Sequence, residues 1–273
     1  SLLQYEEMLR LVRILAGMGI SKVRITGGEP FVRRDVMDLF KGLAHTPGID
    51  KIALTTNGTV TRNHLPALRA LGIRQVNLSL DTLDRQRFLE ITRRDEFDKV
   101  WATFEAMLEL DFEVKINAVL LQGQNDADLI PFVELTRKMP VCVRFIEEMP
   151  FNGGDGAAGA PFWNWRRIES AIREGFPNLK KIPDPPFSTD LNYAIPGHLG
   201  TIGIIPAYSR TFCGTCNRIR VTPQGLLKTC LYDDGVFNIR DLMRAGATDG
   251  ELRIALLEAI GSRAKDGFEA EQR

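Results

Sequence analysis

No run of apolar residues in this 273-residue chain approaches the ~20 needed for a membrane-spanning helix. Charge of one sign is also missing: 35 basic residues face 35 acidic ones, which gives neither the basic footprint of a nucleic-acid binder nor an attraction to membrane surfaces. Cysteine is scarce, with four in the whole chain, too few for a disulfide scaffold. A reducing, cytoplasm-like setting is therefore expected, in which clustered cysteines bind metal. The chain holds no Gly-x4-Gly-Lys-Ser/Thr phosphate loop and no G-x-G-x-x-G dinucleotide fingerprint. It also lacks an initiator Met and a signal peptide. "SLLQYEEMLRLVRILAGMG" instead opens at once as an amphipathic helix ending at Gly17 and Gly19, and the expectation is of a chain entered partway.

What is present is a repeat of short strands and helices. Strands are predicted at 22–26, 51–55, 75–80, 113–120 and 141–146, with helices over 32–44, 62–71, 95–110 and 126–138 between them. This is the βα rhythm of a parallel sheet or barrel. Near residue 150 the texture changes to Gly/Ala-rich and then Pro-rich sequence. A boundary between residues 1–160, a partial barrel, and residues 161–273, a cysteine-bearing domain, is expected there. In the second part "NRIRVTPQGLLKTCL" reads as a hairpin turning at 223–225, followed by a helical end over 239–262.

The strands alternate where a sheet covered on both faces would be almost continuously apolar. Val23 and Ile25 oppose Lys22 and Arg24; Val114 and Ile116 oppose Lys115 and Asn117; Val143 and Phe145 oppose Cys142 and Arg144. If the polar face lines a barrel, Lys22, Arg24, Lys115 and Arg144 converge in one cavity. Each buried, uncompensated charge there costs several kcal/mol, so such a cavity suits a polyanion. "TGGEP" at 26–30 places Gly27 and Gly28 after the first visible strand, where backbone is open to a ligand.

The spacing Cys213-x2-Cys216-x13-Cys230 leaves two metals open. Structural zinc needs four ligands, with Cys142 and His198 as candidates for the fourth. A four-iron cluster held by three thiolates leaves one iron free for a small molecule. Arg218 and Arg220 follow directly, two apart.

"RITGGEPFVRRD", "LTTNG", "NLSLDTLD", "VKINAVL", "VRFIEEMP" and "FCGTCNRIRVTPQGLLKTCL", in this order, resemble the molybdenum cofactor biosynthesis protein A family. These are the GTP 3′,8-cyclases of the radical S-adenosylmethionine (SAM) superfamily. The resemblance implies an α/β fold, an incomplete (β/α)6 TIM-like barrel with a C-terminal extension bearing an iron–sulfur cluster. It implies two [4Fe–4S] clusters, one reducing SAM to release a 5′-deoxyadenosyl radical and one binding the guanine base. The radical removes the ribose 3′ hydrogen, C3′ joins C8, and the product passes to cyclic pyranopterin monophosphate synthase. By the same resemblance Cys213, Cys216 and Cys230 hold the second cluster. Gly27, Gly28, Glu29, Ser79 and Met149 meet SAM. Lys22, Arg24, Thr55, Lys115, Arg144, Arg218 and Arg220 meet GTP. No nucleic acid or membrane partner is implied, a homodimer is compatible, and the expected location is the cytoplasm, or the mitochondrial matrix in a eukaryote. Two family features are not in the sequence, the Cys-x3-Cys-x2-Cys loop and the Gly-Gly tail, and both are expected to lie outside the chain given. A non-catalytic, metal-stapled nucleotide-binding protein and a different radical SAM enzyme with an auxiliary cluster remain the alternatives.

Overall fold

The alternation of "EVKINAVL" survives in three dimensions: Val114, Ile116, Ala118 and Leu120 are buried, while Lys115, Asn117 and Val119 between them are half-buried. A computed structural model describes residues 1–149 and 162–272. The Gly/Ala-rich stretch and the boundary expected at 160/161 lie outside the described residues.

In chain order the longer elements are α1 (Tyr5–Ala16), β1 (Lys22–Ile25), α2 (Val36–Ala44), β2 (Lys51–Thr56), α3 (Leu65–Ala70), β3 (Gln75–Ser79), α4 (Arg85–Thr92) and α5 (Phe97–Glu109). There follow β4 (Glu113–Leu120), α6 (Leu129–Lys138), β5 (Cys142–Glu147), α7 (Trp165–Gly175), β6 (Lys180–Lys181), β7 (Leu191–Ala194) and β8 (Thr201–Ile205). The chain ends with β9 (Arg220–Val221), β10 (Leu226–Lys228), β11 (Phe237–Asn238), α8 (Ile239–Arg244), α9 (Asp249–Gly261) and α10 (Gly267–Gln272). The predicted barrel strands and helices are all present. Sequence reading missed α4, whose charged "RQRFLEIT" buries only Phe88.

The molecule divides into two compact units that interleave along the chain. One comprises 1–54, 67–73 and 213–273, the other 55–66 and 74–212. The "GTIGII" run at 200–205, expected to belong with the cysteines, pairs in parallel with β5 in the second unit. Its unbroken apolar character is that of a central strand, with Ile202 and Ile204 fully buried.

In the second unit β3, β4, β5 and β8 run parallel, and β7 and β6 extend the sheet antiparallel. One face is covered by helices whose apolar stripes include Phe104 and Met107 of α5 and Phe132 of α6. Phe132 meets Phe145 of β5 edge-on at 6.3 Å. Each such side chain contributes about 1.5–3 kcal/mol on burial. The loops are pinned by polar clasps. Asn125 accepts from Leu121 N–H and donates to the Asp81 and Val119 carbonyls, at 2.7–2.8 Å. Asp128, buried, accepts from the Thr82 hydroxyl and from Leu83 N–H and pairs with Arg87. The later residues of "NLSLDTLD" thus build the loop after β3. Burial raises the Asp81 carboxyl above its ordinary range, opposed by the bond it accepts from Val119 N–H.

In the first unit β1 and β2 pair in parallel, and β9, β10 and β11 form a small antiparallel sheet. The hairpin turns where predicted. Gly225 has φ 88°, and a Cβ there would stand 2.4 Å from the Arg240 Cβ, so glycine is required on both counts. One core joins the two ends of the sequence: Leu3, Leu11, Ile14 and Leu15 pack with Leu227, Ile239, Met243, Leu252, Leu256 and Ala259. Around it, Arg10 bonds Asp249 at 2.7 Å and Arg244 bonds Glu7 at 2.7 Å. No helix among the described residues is long and apolar enough to cross a membrane.

Candidate functional site

The polar residues of the second unit's sheet fall into two rows fixed by strand register. Asn77, Lys115, Cys142 and Thr201 form one; Ser79, Asn117, Arg144, Gly203 and Asn192 form the other. Of the residues the sequence pointed to, Lys115 and Arg144 share this face with Ser79. Thr55 joins it through a 3.5 Å contact from Asn77 Nδ2. Met149, two residues beyond β5, is half-buried.

Arg144 differs from the expectation of an uncompensated cation. Its guanidinium is buried, its Nε donates to Asn117 Oδ1 at 2.9 Å, and its Nη1 lies 3.9 Å from Asp190 Oδ2. A countercharge is therefore present in the protein itself, contributed by a residue the sequence gave no reason to single out. Cys142 has its own surroundings in this unit. Burial pushes its thiol up, against the opposing effects of a Thr201 hydrogen bond and the charges of Lys115 and Arg144. His198, the other candidate fourth metal ligand, bonds Thr136 Oγ1 through Nδ1 at 2.8 Å and meets the Phe176 ring edge-on.

The sequence also passed over Glu147, at the end of β5. It is fully buried and accepts from Trp165 N–H at 2.7 Å, Ser209 N–H at 2.7 Å and Ser209 O–H at 2.8 Å. One carboxylate thereby ties the start of α7 and the turn after β8 to the strand's end.

In the first unit Lys22 and Arg24 are exposed on β1. Past the strand, Gly27 has φ 141°, and a Cβ at either Gly27 or Gly28 would have no atom within 4 Å. The backbone is open to an approaching molecule, as the sequence suggested. Glu29 accepts from Phe31 N–H at 3.3 Å and so caps the short turn at Pro30–Val32.

The cysteines lie on the same unit. Cys213 begins a 3-10 turn, and Cys216 N–H bonds its carbonyl at 3.2 Å. Cys230 N–H and Thr229 N–H both donate to Asp233 Oδ2, at 2.7 and 2.8 Å. Burial works to raise the Cys216 thiol but is outweighed by the Arg218 N–H and charge and by the side chain of Arg263, so its pKa is lowered. Arg220 is lowered by burial and by repulsion from Arg218 and Arg263, with Cys216 and Cys230 acting the other way. Arg263 is thus a third cation beside the thiols, invisible from sequence because 42 residues part it from the Cys213-to-Arg220 motif by way of other elements. The strand begins only at Arg220, so Arg218 is in the preceding loop.

Among the described residues no group of three His, Cys, Asp or Glu is arranged to hold a metal ion. The donor chemistry nonetheless suits one: three half-buried free thiols, one acidified, with arginines to balance thiolate charge. A chemical consequence is measurable directly. In the metal-free protein Cys216 carries more thiolate at pH 7.5 than an ordinary cysteine and Cys142 carries less. Iodoacetamide should accordingly modify Cys216 first, and Arg263→Ala should slow that reaction by returning the thiol toward its usual range. Peptide mapping after timed alkylation checks this; equal rates at the two cysteines would contradict it.

The chain is similar to known proteins along nearly its whole length. A radical SAM superfamily model matches residues 1–136 and a Molybdenum Cofactor Synthesis C model matches 141–268. A protein from Caenorhabditis elegans, molybdenum cofactor biosynthesis protein moc-5, is 40% identical over 263 residues, covering 96% of this chain and 44% of that protein. A GTP 3′,8-cyclase from Chlorobaculum tepidum is 38% identical over 266 residues, covering 97% of this chain and 80% of that protein. The chain spans less than half the length of several animal relatives it matches. Among solved structures, Streptococcus suis SuiB bound to S-adenosylmethionine superposes with a TM-score of 0.64 at 16% identity, covering 92% of this chain and 60% of that one. That likeness shows the fold, the partial TIM-like barrel of radical SAM proteins, for which membership implies a 4Fe–4S cluster and SAM. The chain belongs to the GTP 3′,8-cyclase family of molybdenum cofactor biosynthesis, within the radical SAM superfamily.

Proposed function

We propose that this chain carries the nucleotide-binding and auxiliary-cluster parts of a GTP 3′,8-cyclase, the enzyme that joins ribose C3′ of GTP to guanine C8. The observation that carries the reading is the meeting of thiols with Arg218, Arg220 and Arg263 in one unit. Cys213, Cys216 and Cys230 would hold a [4Fe–4S] cluster, which when bound supplies an open iron for the base. The arginines beside them carry charge suited to phosphates; within the second unit, Lys115 and Arg144 on the polar face of the sheet are candidates of the same kind. Gly27 and Gly28, with open space over their backbone and Glu29 next in sequence, are the first unit's candidates for SAM, and Ser79 and Met149 are the second unit's.

The residues present do not fit the cluster that reduces SAM. The sequence contains no Cys-x3-Cys-x2-Cys, and no step is derived through that group. What the chain's own residues can do is bind GTP, orient it and balance its charge. Transfer of the product to a cyclic pyranopterin monophosphate synthase belongs to the same reading.

Calorimetric titration of anaerobic protein with GTP and guanosine tests it. Lys115→Ala and Arg220→Ala should each weaken GTP by about 1.5–3 kcal/mol, the range for hydrogen bonds to charged groups, with a smaller loss for guanosine. Arg220→Ala should also fold well, because it relieves repulsion from Arg218 and Arg263. Unchanged GTP affinity in both variants would overturn the reading.

A further inference from the structure

The loop that carries Cys230 is organised around one carboxylate. Residues 229–236 join β10 to β11, and Val236 N–H returns to the Leu227 carbonyl at 2.8 Å, which fixes the two ends of the loop. Between them Asp233 Oδ2 accepts three hydrogen bonds, from Thr229 N–H at 2.8 Å, Thr229 O–H at 3.1 Å and Cys230 N–H at 2.7 Å. Thr229 is buried, so both of its donors need a partner inside the protein. Lys228 Nζ stands 4.0 Å from the other oxygen, beyond hydrogen-bond reach, and donates instead to the Leu231 carbonyl at 3.4 Å. The carboxylate is thus seated chiefly by the backbone amides that lead into Cys230.

We propose that Asp233 is a positioning residue for Cys230, folding the loop so that the thiol is presented to the metal and making a cluster held there harder to reduce. This deepens the auxiliary-cluster reading and rests on it. The potential of an iron–sulfur cluster follows its net charge and the hydrogen bonds its sulfurs receive. Asp233 acts on both in the same direction. It adds a negative charge one hydrogen bond away from the Cys230 backbone, and it occupies two N–H groups on which the sulfurs could otherwise draw. The arginines beside the thiols act in the opposite sense. A site that binds a base, and does not store an electron, gains from that resistance.

Two measurements separate the effects. Zinc alone, titrated against a chelator, reads positioning. Potentiometric titration with dithionite, which adds one electron per cluster, followed by EPR, reads charge. Asp233→Ala should weaken zinc about 10–100-fold, the range for groups that orient metal ligands. Asp233→Asn, whose amide oxygen accepts the same three bonds, should restore most of that affinity. The Asn variant should also keep its cluster and favour the reduced form by at least about tenfold, about 59 mV for a one-electron couple. Asp234→Asn, an equal change of charge at the exposed neighbour, should shift the potential less. A merely structural role for Asp233 would leave the potential of cluster-loaded Asp233→Asn where it was. Melting curves establish which variants fold; if Asp233→Ala does not, the potential of Asp233→Asn decides. Wild-type protein whose cluster potential Asp233→Asn leaves unchanged, or lowers, overturns the Asp233 proposal alone, as does a zinc affinity that Asp233→Ala leaves unchanged. Wild-type protein that forms no cluster yet binds zinc, weakened by Asp233→Ala and restored by Asp233→Asn, overturns the cluster reading and keeps the positioning of Cys230. Binding of neither iron nor zinc overturns both.

Discussion

Replacing Cys216 or Cys230 with Ser should empty the protein of iron. Reconstituted anaerobically, the unaltered chain should take up about four irons and four sulfides, the content of one cubane cluster. A serine hydroxyl is a far weaker ligand than a thiolate, and at position 216 the N–H and charge of Arg218 and the hydrogen bond and charge of Arg263 favour the ionised sulfur. Cys142→Ser should retain the iron. That thiol is held toward its neutral form by burial and is bonded to Thr201, the opposite of a ligand's situation. The contrast decides between the two metals left open by spacing. Tetrahedral zinc, lost when Cys142 or His198 is replaced, would show a four-ligand structural site and sink the cluster.

Glu147→Ala should be the most destabilising single substitution at the polar end of the sheet, at about 3–5 kcal/mol. The carboxylate is fully buried and receives three short hydrogen bonds. Its removal leaves two backbone N–H groups, of Trp165 and Ser209, without acceptors inside the protein, each costing about 1–3 kcal/mol. Glu147→Gln should recover part of the loss, since an amide oxygen still accepts but carries no charge. Urea denaturation gives both values. A cost under 1 kcal/mol for Glu147→Ala would mean that water substitutes freely for the carboxylate.

The parts of this fold that sequence reveals are those in which a residue's role follows from its neighbours in the chain. Alternation in "EVKINAVL" set which side chains face the helices, and Pro223 to Gly225 marked a turn whose geometry admits glycine. The candidate site residues were proposed from sequence for the same reason, because they sit in short motifs. Arg263, Asp190 and Glu147 were not, because each acts on a partner brought near by folding. Glu147 meets Ser209 62 positions away, and Asp190 meets Arg144 across strands whose order is not that of the chain. The compact units likewise depend on which distant segments share a core.

That shared core has a consequence for the order of events during synthesis. Residues 55–66 and 74–212 are all made before the cysteine segment, and their unit can complete its sheet while the ribosome is still translating. The first unit cannot. Helix α1 emerges well before Leu252, Leu256 and Ala259, which share its core. Until then Leu11, Ile14 and Leu15 are a hydrophobic surface awaiting its cover. Cys213, Cys216 and Cys230 belong to that same unit, so their settled surroundings wait on the closing of its core.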